Sequence, residues 1–177
     1  MLSNLFDLQR KLDQRIIDDK KLHDEDLLPK KILALQVELG ELANEWRGFK
    51  FWSENQEPNT NALSIAGNKA KKYNPLLEEY VDCLHFILSI GLELRLTQFE
   101  YLSPEGLDIT ECFIELMSDA WEIQNDWKNN RVDEEVYSRI VIQFLYLGKK
   151  LGFTEEHVEQ AYIEKNKENH NRQDRGY

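Results

Sequence analysis

The 177 residues, 33 of them acidic and 22 basic for a formal net charge of −11, suffice for a buried core in a single acidic domain. With 41% hydrophobic and 31% charged residues the composition excludes a disordered chain, and no apolar run reaches the roughly 18 residues of a membrane span. Duplex nucleic acid is excluded as a partner, because no Lys/Arg stripe is present to displace counterions from a phosphate backbone, whereas a small polyanion would need metal ions or a local basic cluster to approach so many carboxylates.

Only 8 Gly and 4 Pro punctuate the chain, and the apolar residues between them recur at helical spacing. The expected fold class is therefore all-α, a bundle of about six helices with a mobile C-terminal tail. Leu5, Leu8, Leu12 and Ile16 form the first stripe. The opening MLSNLFDLQRKLDQRI mixes charges among its apolar positions, unlike a secretory signal, so the expected location is cytoplasmic. After Pro29, a second stripe runs through Ile32, Leu35, Leu39 and Leu42. Residues 54–75 read as a long irregular connection holding one short helical turn.

Pro75, favourable in a first turn, opens a third helix through Leu77, Tyr80, Val81, Leu84, Ile87, Leu88 and Leu92. Past LSPEGLD, a fourth carries Ile109, Phe113, Leu116, Ala120, Ile123 and Trp127. Asp133 reads as the N-cap of a fifth, with Val136, Ile140, Phe144 and Leu147, ended by Gly152. Thr154 caps a sixth through Val158, Ala161 and Tyr162. The closing ENHNRQDRGY is too polar and glycine-ended to keep packing as a helix, and is expected to be mobile. The chain is thus expected to be one domain over 1–177, with a core bundle at 1–100, further helices at 105–168 and a closing tail at 161–177. Cys83 and Cys112 fall inside apolar helical patterns and read as reduced, buried thiols.

Glu38, Glu41 and Glu45 stand at i, i+3, i+7 on the second helix, so their carboxylates share a stripe beside the leucines that bury it. Alone this is a solvated acidic face. The third helix repeats the pattern: Glu79 and Asp82 lie at i, i+3, and Glu78, Asp82 and His85 at i, i+4, i+7, in a segment apolar on nearly every side. Carboxylates in a buried helix need partners, and two helices aiming acids at one interior point make an oxygen cage for hard divalent cations, Mg²⁺ above all. Mg²⁺ bridges carboxylates to phosphates, which answers how so acidic a chain holds a polyanion.

The E-x-x-E of the second helix followed by E-x-x-D in the third resembles the all-α NTP pyrophosphatases. FKFWS after the first acid pair, DCLHF in the third helix and the closing KNKENHNRQDRGY narrow the resemblance to the dimeric all-α dUTPases of phages and bacteria. The resemblance implies hydrolysis of dUTP to dUMP and pyrophosphate by metal-activated water in a homodimer, and leaves open whether dUDP is also cleaved, to dUMP and phosphate. It implies Glu38, Glu41, Glu79 and Asp82 as ligands of two or more Mg²⁺ ions, with Mn²⁺ as a substitute and Glu78 replacing or supporting Glu79. Glu41 or Glu38 would accept the proton of the attacking water. His85 and Phe86 match a His-Phe placed against uracil, and Lys50 and Trp52 match a Lys-x-Trp. Gln9, with Gln14 as its rival, resembles a glutamine near the base. Lys165, Asn169, Arg172 and Tyr177 resemble contacts to phosphates and nucleotide, with Asn166 and Gln173 as neighbours.

The connection between Glu41 and Glu79 is longer than in compact members, an excursion suited to shaping the base pocket or a partner surface. The fourth and fifth helices are candidates for the dimer interface, with Trp121 and Trp127 as its anchors. Two rivals stand beside this reading: a pyrophosphatase preferring dCTP or mixed nucleotides, and a non-enzymatic helical interaction module whose acids are only surface.

Overall fold

The computed structural model describes residues 2–66, 69–99 and 106–176. Most of LSPEGLD, and Tyr177, lie outside them. Among the described residues six helices pack together: α1 (Leu2–Lys20), α2 (Leu28–Trp46), α3 (Pro75–Leu94), α4 (Ile109–Lys128), α5 (Glu134–Lys150) and α6 (Glu155–Asp174), with strands β1 (Ala62–Ala66) and β2 (Lys69–Tyr73) between α2 and α3. None of these helices is long and apolar enough to cross a membrane.

The helix starts follow local chemistry. Asn74 accepts a hydrogen bond from Leu77 N ahead of Pro75, Asp133 accepts from Glu135 N and Val136 N, and Thr154 accepts from His157 N. At α4, Asp108 and Glu111 satisfy each other's backbone donors as a capping box. Arg47 and Arg95 end α2 and α3 in the left-handed region at φ 66° and 61°.

α3 is the central element, packed against α1, α2, α5 and α6. Its apolar residues are buried on nearly every side, from Leu76 through Tyr80, Leu84 and Leu88 to Leu94. Leu35, Leu39 and Leu42 of α2 are fully buried in the same core, each contributing about 1.5–3 kcal/mol relative to exposure. Two phenols tie the central helix down: Tyr80 donates to Phe144 O at 3.1 Å, and Tyr137 to Ile87 O at 3.1 Å. These close crossings need glycine, since a Cβ on Gly91 would lie 2.0 Å from the Tyr137 hydroxyl oxygen. Cys83 and Cys112 are free and buried.

Two expectations are corrected. The connection at 54–75 is not irregular throughout, because β1 and β2 pair antiparallel, Ala62 opposite Tyr73 and Ala66 opposite Lys69. Asn59 explains the closure: its N–H reaches Glu45 O at 2.8 Å, its side chain donates to Glu45 Oε2 at 2.6 Å, and its carbonyl accepts from Leu76 N at 3.1 Å. With both ends of the excursion pinned to α2 and α3, the chain between them folds back on itself. The polar tail does not leave the bundle at residue 168, since α6 continues to Asp174. Arg15 of α1 holds that last stretch, donating to His170 O at 3.2 Å and to Asp174 Oδ1 at 2.5 Å. Of the helices expected at a dimer interface, α5 buries Val136 to Leu147 within the chain, and Trp127 Nε1 donates to Asp26 Oδ2 at 2.9 Å. Trp121 alone of the two expected anchors is open, 61% exposed.

Candidate functional site

Helical spacing carries the acids of α2 and α3 to one place. One carboxylate oxygen from each of Glu38, Glu41 and Glu79 lies within 4.8 Å of the other two. Burial, then the charges of Asp82 and Glu41, push the Glu38 carboxyl up to about 7. Glu79 is pushed up to about 7 by burial first and then by Asp82, Glu41 and Glu38. Asp82 is raised by burial against the pull of Lys165. The Lys165 ammonium of α6 donates to Asp82 Oδ2 at 2.5 Å and to Glu78 Oε1 at 3.0 Å. Crowded, half-buried carboxylates that must hold protons near neutrality lack positive charge, and three hard oxygen donors this close fit a divalent cation.

Glu38 and Asp82 also form part of the wall of a cavity of about 380 Å³. Leu12 and Ile16 of α1 and Phe86 of α3 make it apolar, Gln9, His85 and Ser89 give it polar atoms, and Asn169 and Arg172 border it from α6. An apolar cleft of this size with a few convergent polar groups is suited to an aromatic heterocycle, and its acidic flank to a charged group joined to that ring.

The polar atoms are organised by a buried chain. Gln9 Nε2 donates to Asp13 Oδ1 at 2.7 Å, and Ser89 Oγ donates to Asp13 Oδ2 at 2.6 Å. Gln9 Oε1 accepts from the Tyr162 hydroxyl at 2.5 Å and lies 2.7 Å from His85 Nδ1. The His85 and Tyr162 rings stack with centroids 4.0 Å apart. Burial, followed by the charge of Lys165, pulls His85 down to about 3, so its ring is neutral.

The sequence-predicted residues divide accordingly. Glu38, Glu41 and Glu79 converge, with Asp82 one turn beyond Glu79; Glu78 is drawn off to Lys165 and Glu45 to Asn59. Gln9, His85, Phe86, Asn169 and Arg172 meet at the cavity. Gln14 is exposed and donates to Asp18 at 2.9 Å, so Gln9 and not its rival faces the site. Asn166 is buried on α6, whereas Tyr177 is outside the described residues. Lys50 and Trp52 are not on the cavity wall: Lys50 Nζ donates to Asn44 O at 3.3 Å, and Trp52 is 66% exposed, in edge contact with Phe49 and Phe51. They follow the left-handed turn at Arg47, which takes the backbone off the α2 axis. Sequence reasoning missed Asp13, Ser89 and Tyr162. The signal for Asp13 and Ser89 was their place one turn beyond Gln9 and His85; none pointed to the Tyr162 hydroxyl.

A family model described as dUTPase matches residues 1–177, the whole chain. No curated protein matches this sequence.

Proposed function

The chain belongs to the dUTPase family, all-α in fold, whose activity is hydrolysis of dUTP, and from that premise we propose that it splits dUTP to dUMP and pyrophosphate with Mg²⁺ at the Glu38, Glu41, Glu79 and Asp82 cluster. One observation carries the reading: the convergent carboxylates and the pocket of Gln9, His85 and Phe86 share a cavity, with Glu38 and Asp82 on its wall.

Mg²⁺, or Mn²⁺ in its place, would supply there an activated water and neutralisation of the charge developing on the phosphates. The protein's own groups do the rest. Glu38 or Glu41 takes the proton of the attacking water. Lys165 and Arg172, with Asn169, hold the triphosphate from the α6 side, and the family resemblance adds Tyr177 as a nucleotide contact. Phe86 lies against the base and leaves no room for a 5-methyl group, while Gln9 and His85 meet its polar edge. Lys50 and Trp52 act from the loop after α2, whose exposed aromatic face suits closure over a bound nucleotide.

Pyrophosphate release from dUTP, dTTP, dCTP and UTP, with and without Mg²⁺, tests the proposal. Metal-dependent turnover with dUTP preferred is expected; preference for dCTP would end the uracil assignment. Glu41→Gln and Asp82→Asn should each lower turnover by about 100-fold or more while the circular dichroism spectrum stays helical. Unaltered rates in both would move the chemistry elsewhere or leave the acids as surface.

A further inference from the structure

Asp13 and Tyr162 have no part in the proposed chemistry, yet between them they leave Gln9 a single orientation. The Asp13 carboxylate, receiving Ser89 Oγ at 2.6 Å and lying 3.6 Å from Lys31 Nζ, accepts hydrogen bonds and offers none. Gln9 must therefore turn its amide nitrogen toward Asp13, at 2.7 Å, and its carbonyl oxygen the other way. On that side burial keeps the Tyr162 phenol protonated, and its hydroxyl donates to Gln9 Oε1. The second partner of Oε1 is His85 Nδ1 at 2.7 Å. A ring nitrogen facing an oxygen acceptor must carry the proton, so the neutral imidazole is the Nδ1–H tautomer and its Nε2 is a bare lone pair.

That lone pair is buried and has no hydrogen-bond partner among the described residues, on a side chain that is 5% exposed and lines the cavity. A buried acceptor without a donor is costly and marks a place for a ligand N–H. We propose that Asp13, acting through Gln9, fixes the His85 tautomer so that Nε2 accepts from the N3–H of a uracil ring, and that this direction of hydrogen bonding rejects cytosine, whose N3 is itself an acceptor. Asp13 is thus a positioning residue for base selection. The inference rests on the dUTPase reading and adds to it the basis of discrimination between the two pyrimidine edges. Thymine carries the same N3–H, so its exclusion belongs to Phe86 and the space around the ring, not to this chain of hydrogen bonds.

Asp13→Asn is the informative change. Asparagine both donates and accepts, so Gln9 is free to turn over, present Nε2 to His85 Nδ1 and send the ring proton to His85 Nε2, where it opposes N3–H and welcomes the cytosine N3. With ¹⁵N-histidine protein, long-range proton–nitrogen correlation reads the tautomer directly, the His85 signals being identified by their loss in His85→Gln. Nδ1–H is expected in the unaltered chain and a mixture or Nε2–H in D13N. The dUTP-over-dCTP ratio of kcat/KM should fall by about 10-fold or more in D13N, mostly through KM, with dUTP over dTTP unchanged. An Nε2–H tautomer in the unaltered chain, a measurement that needs no variant to fold, overturns the proposal even if dUTP is turned over. So does D13N with its dUTP-over-dCTP ratio intact. If His85 carries Nδ1–H but no uracil nucleotide is hydrolysed, the dUTPase reading fails and the base selection proposed here fails with it.

Discussion

Glu38 and Glu79 are half-buried among other carboxylates, with Lys165 as the counter-charge acting on both, and the consequence for stability has a definite sign. Each carboxyl rises from 4.5 to about 7 on folding, so the native chain binds protons more tightly than the unfolded one. The stabilisation this gives is fully present below the unfolded value and is lost as pH rises through the folded value. His85, lowered from 6.5 to about 3 by burial, works the other way up to its ordinary value, so without divalent cation the melting temperature is expected to fall most steeply between about pH 6.5 and about pH 8. Mg²⁺ should raise it more at the upper end than at the lower, because there it replaces no proton. Thermal melts across that range, with chelator and with Mg²⁺, check both slopes, and a flat metal-free profile would show that the carboxylates are not crowded in solution.

At the scale of whole elements, α6 is the one whose behaviour departs most from its sequence. Its buried residues are Val158, Tyr162 and Asn166 at successive i, i+4 positions, after which no apolar side chain remains to bury. The helix nevertheless runs to Asp174, with its last turns docked on α1 through Arg15. Arg15→Ala is expected to leave the global melting temperature nearly unchanged, while amide exchange from His170 to Asp174 quickens by about 10-fold or more. Because Asn169 and Arg172 sit on those turns, KM for dUTP should rise with it. Unchanged exchange would mean that the turns hold without Arg15. The other helices were legible because apolar spacing reports burial, as in the Leu35, Leu39 and Leu42 stripe. The β1–β2 hairpin and the end of α6 were not, because each depends on polar side chains far apart in sequence: Glu45 with Asn59, and Arg15 with Asp174. The acid pairs could be read from their spacing and from the family's motifs, whereas the Asp13, Gln9, Tyr162 and His85 chain joins three helices and has no pattern in any one of them.

Across the whole molecule, part of the exposed apolar surface gathers on α2 and α4. Leu33 and Val37 on α2 and Ile114 and Trp121 on α4 are all exposed, on helices that pack together and are joined by Gln36 Nε2 donating to Met117 O at 3.3 Å. Covering such side chains contributes about 1.5–3 kcal/mol each, and a face that pairs with its own copy closes as a two-fold dimer. For the homodimer that the family resemblance implies, this α2–α4 face is an exposed apolar surface open to a partner. Glu41 follows Val37 by one turn on α2 and is itself exposed, so this face borders the carboxylates. The variant combining Leu33→Glu and Trp121→Glu should accordingly run as a monomer in light scattering where the unaltered chain runs as a dimer. Its turnover of dUTP should fall on the order of 10-fold, because carboxylates placed beside a partner lose their positioning when it leaves. A monomeric unaltered chain with full activity would remove the dimer from the account, while a variant that stays dimeric would put the contact on another face.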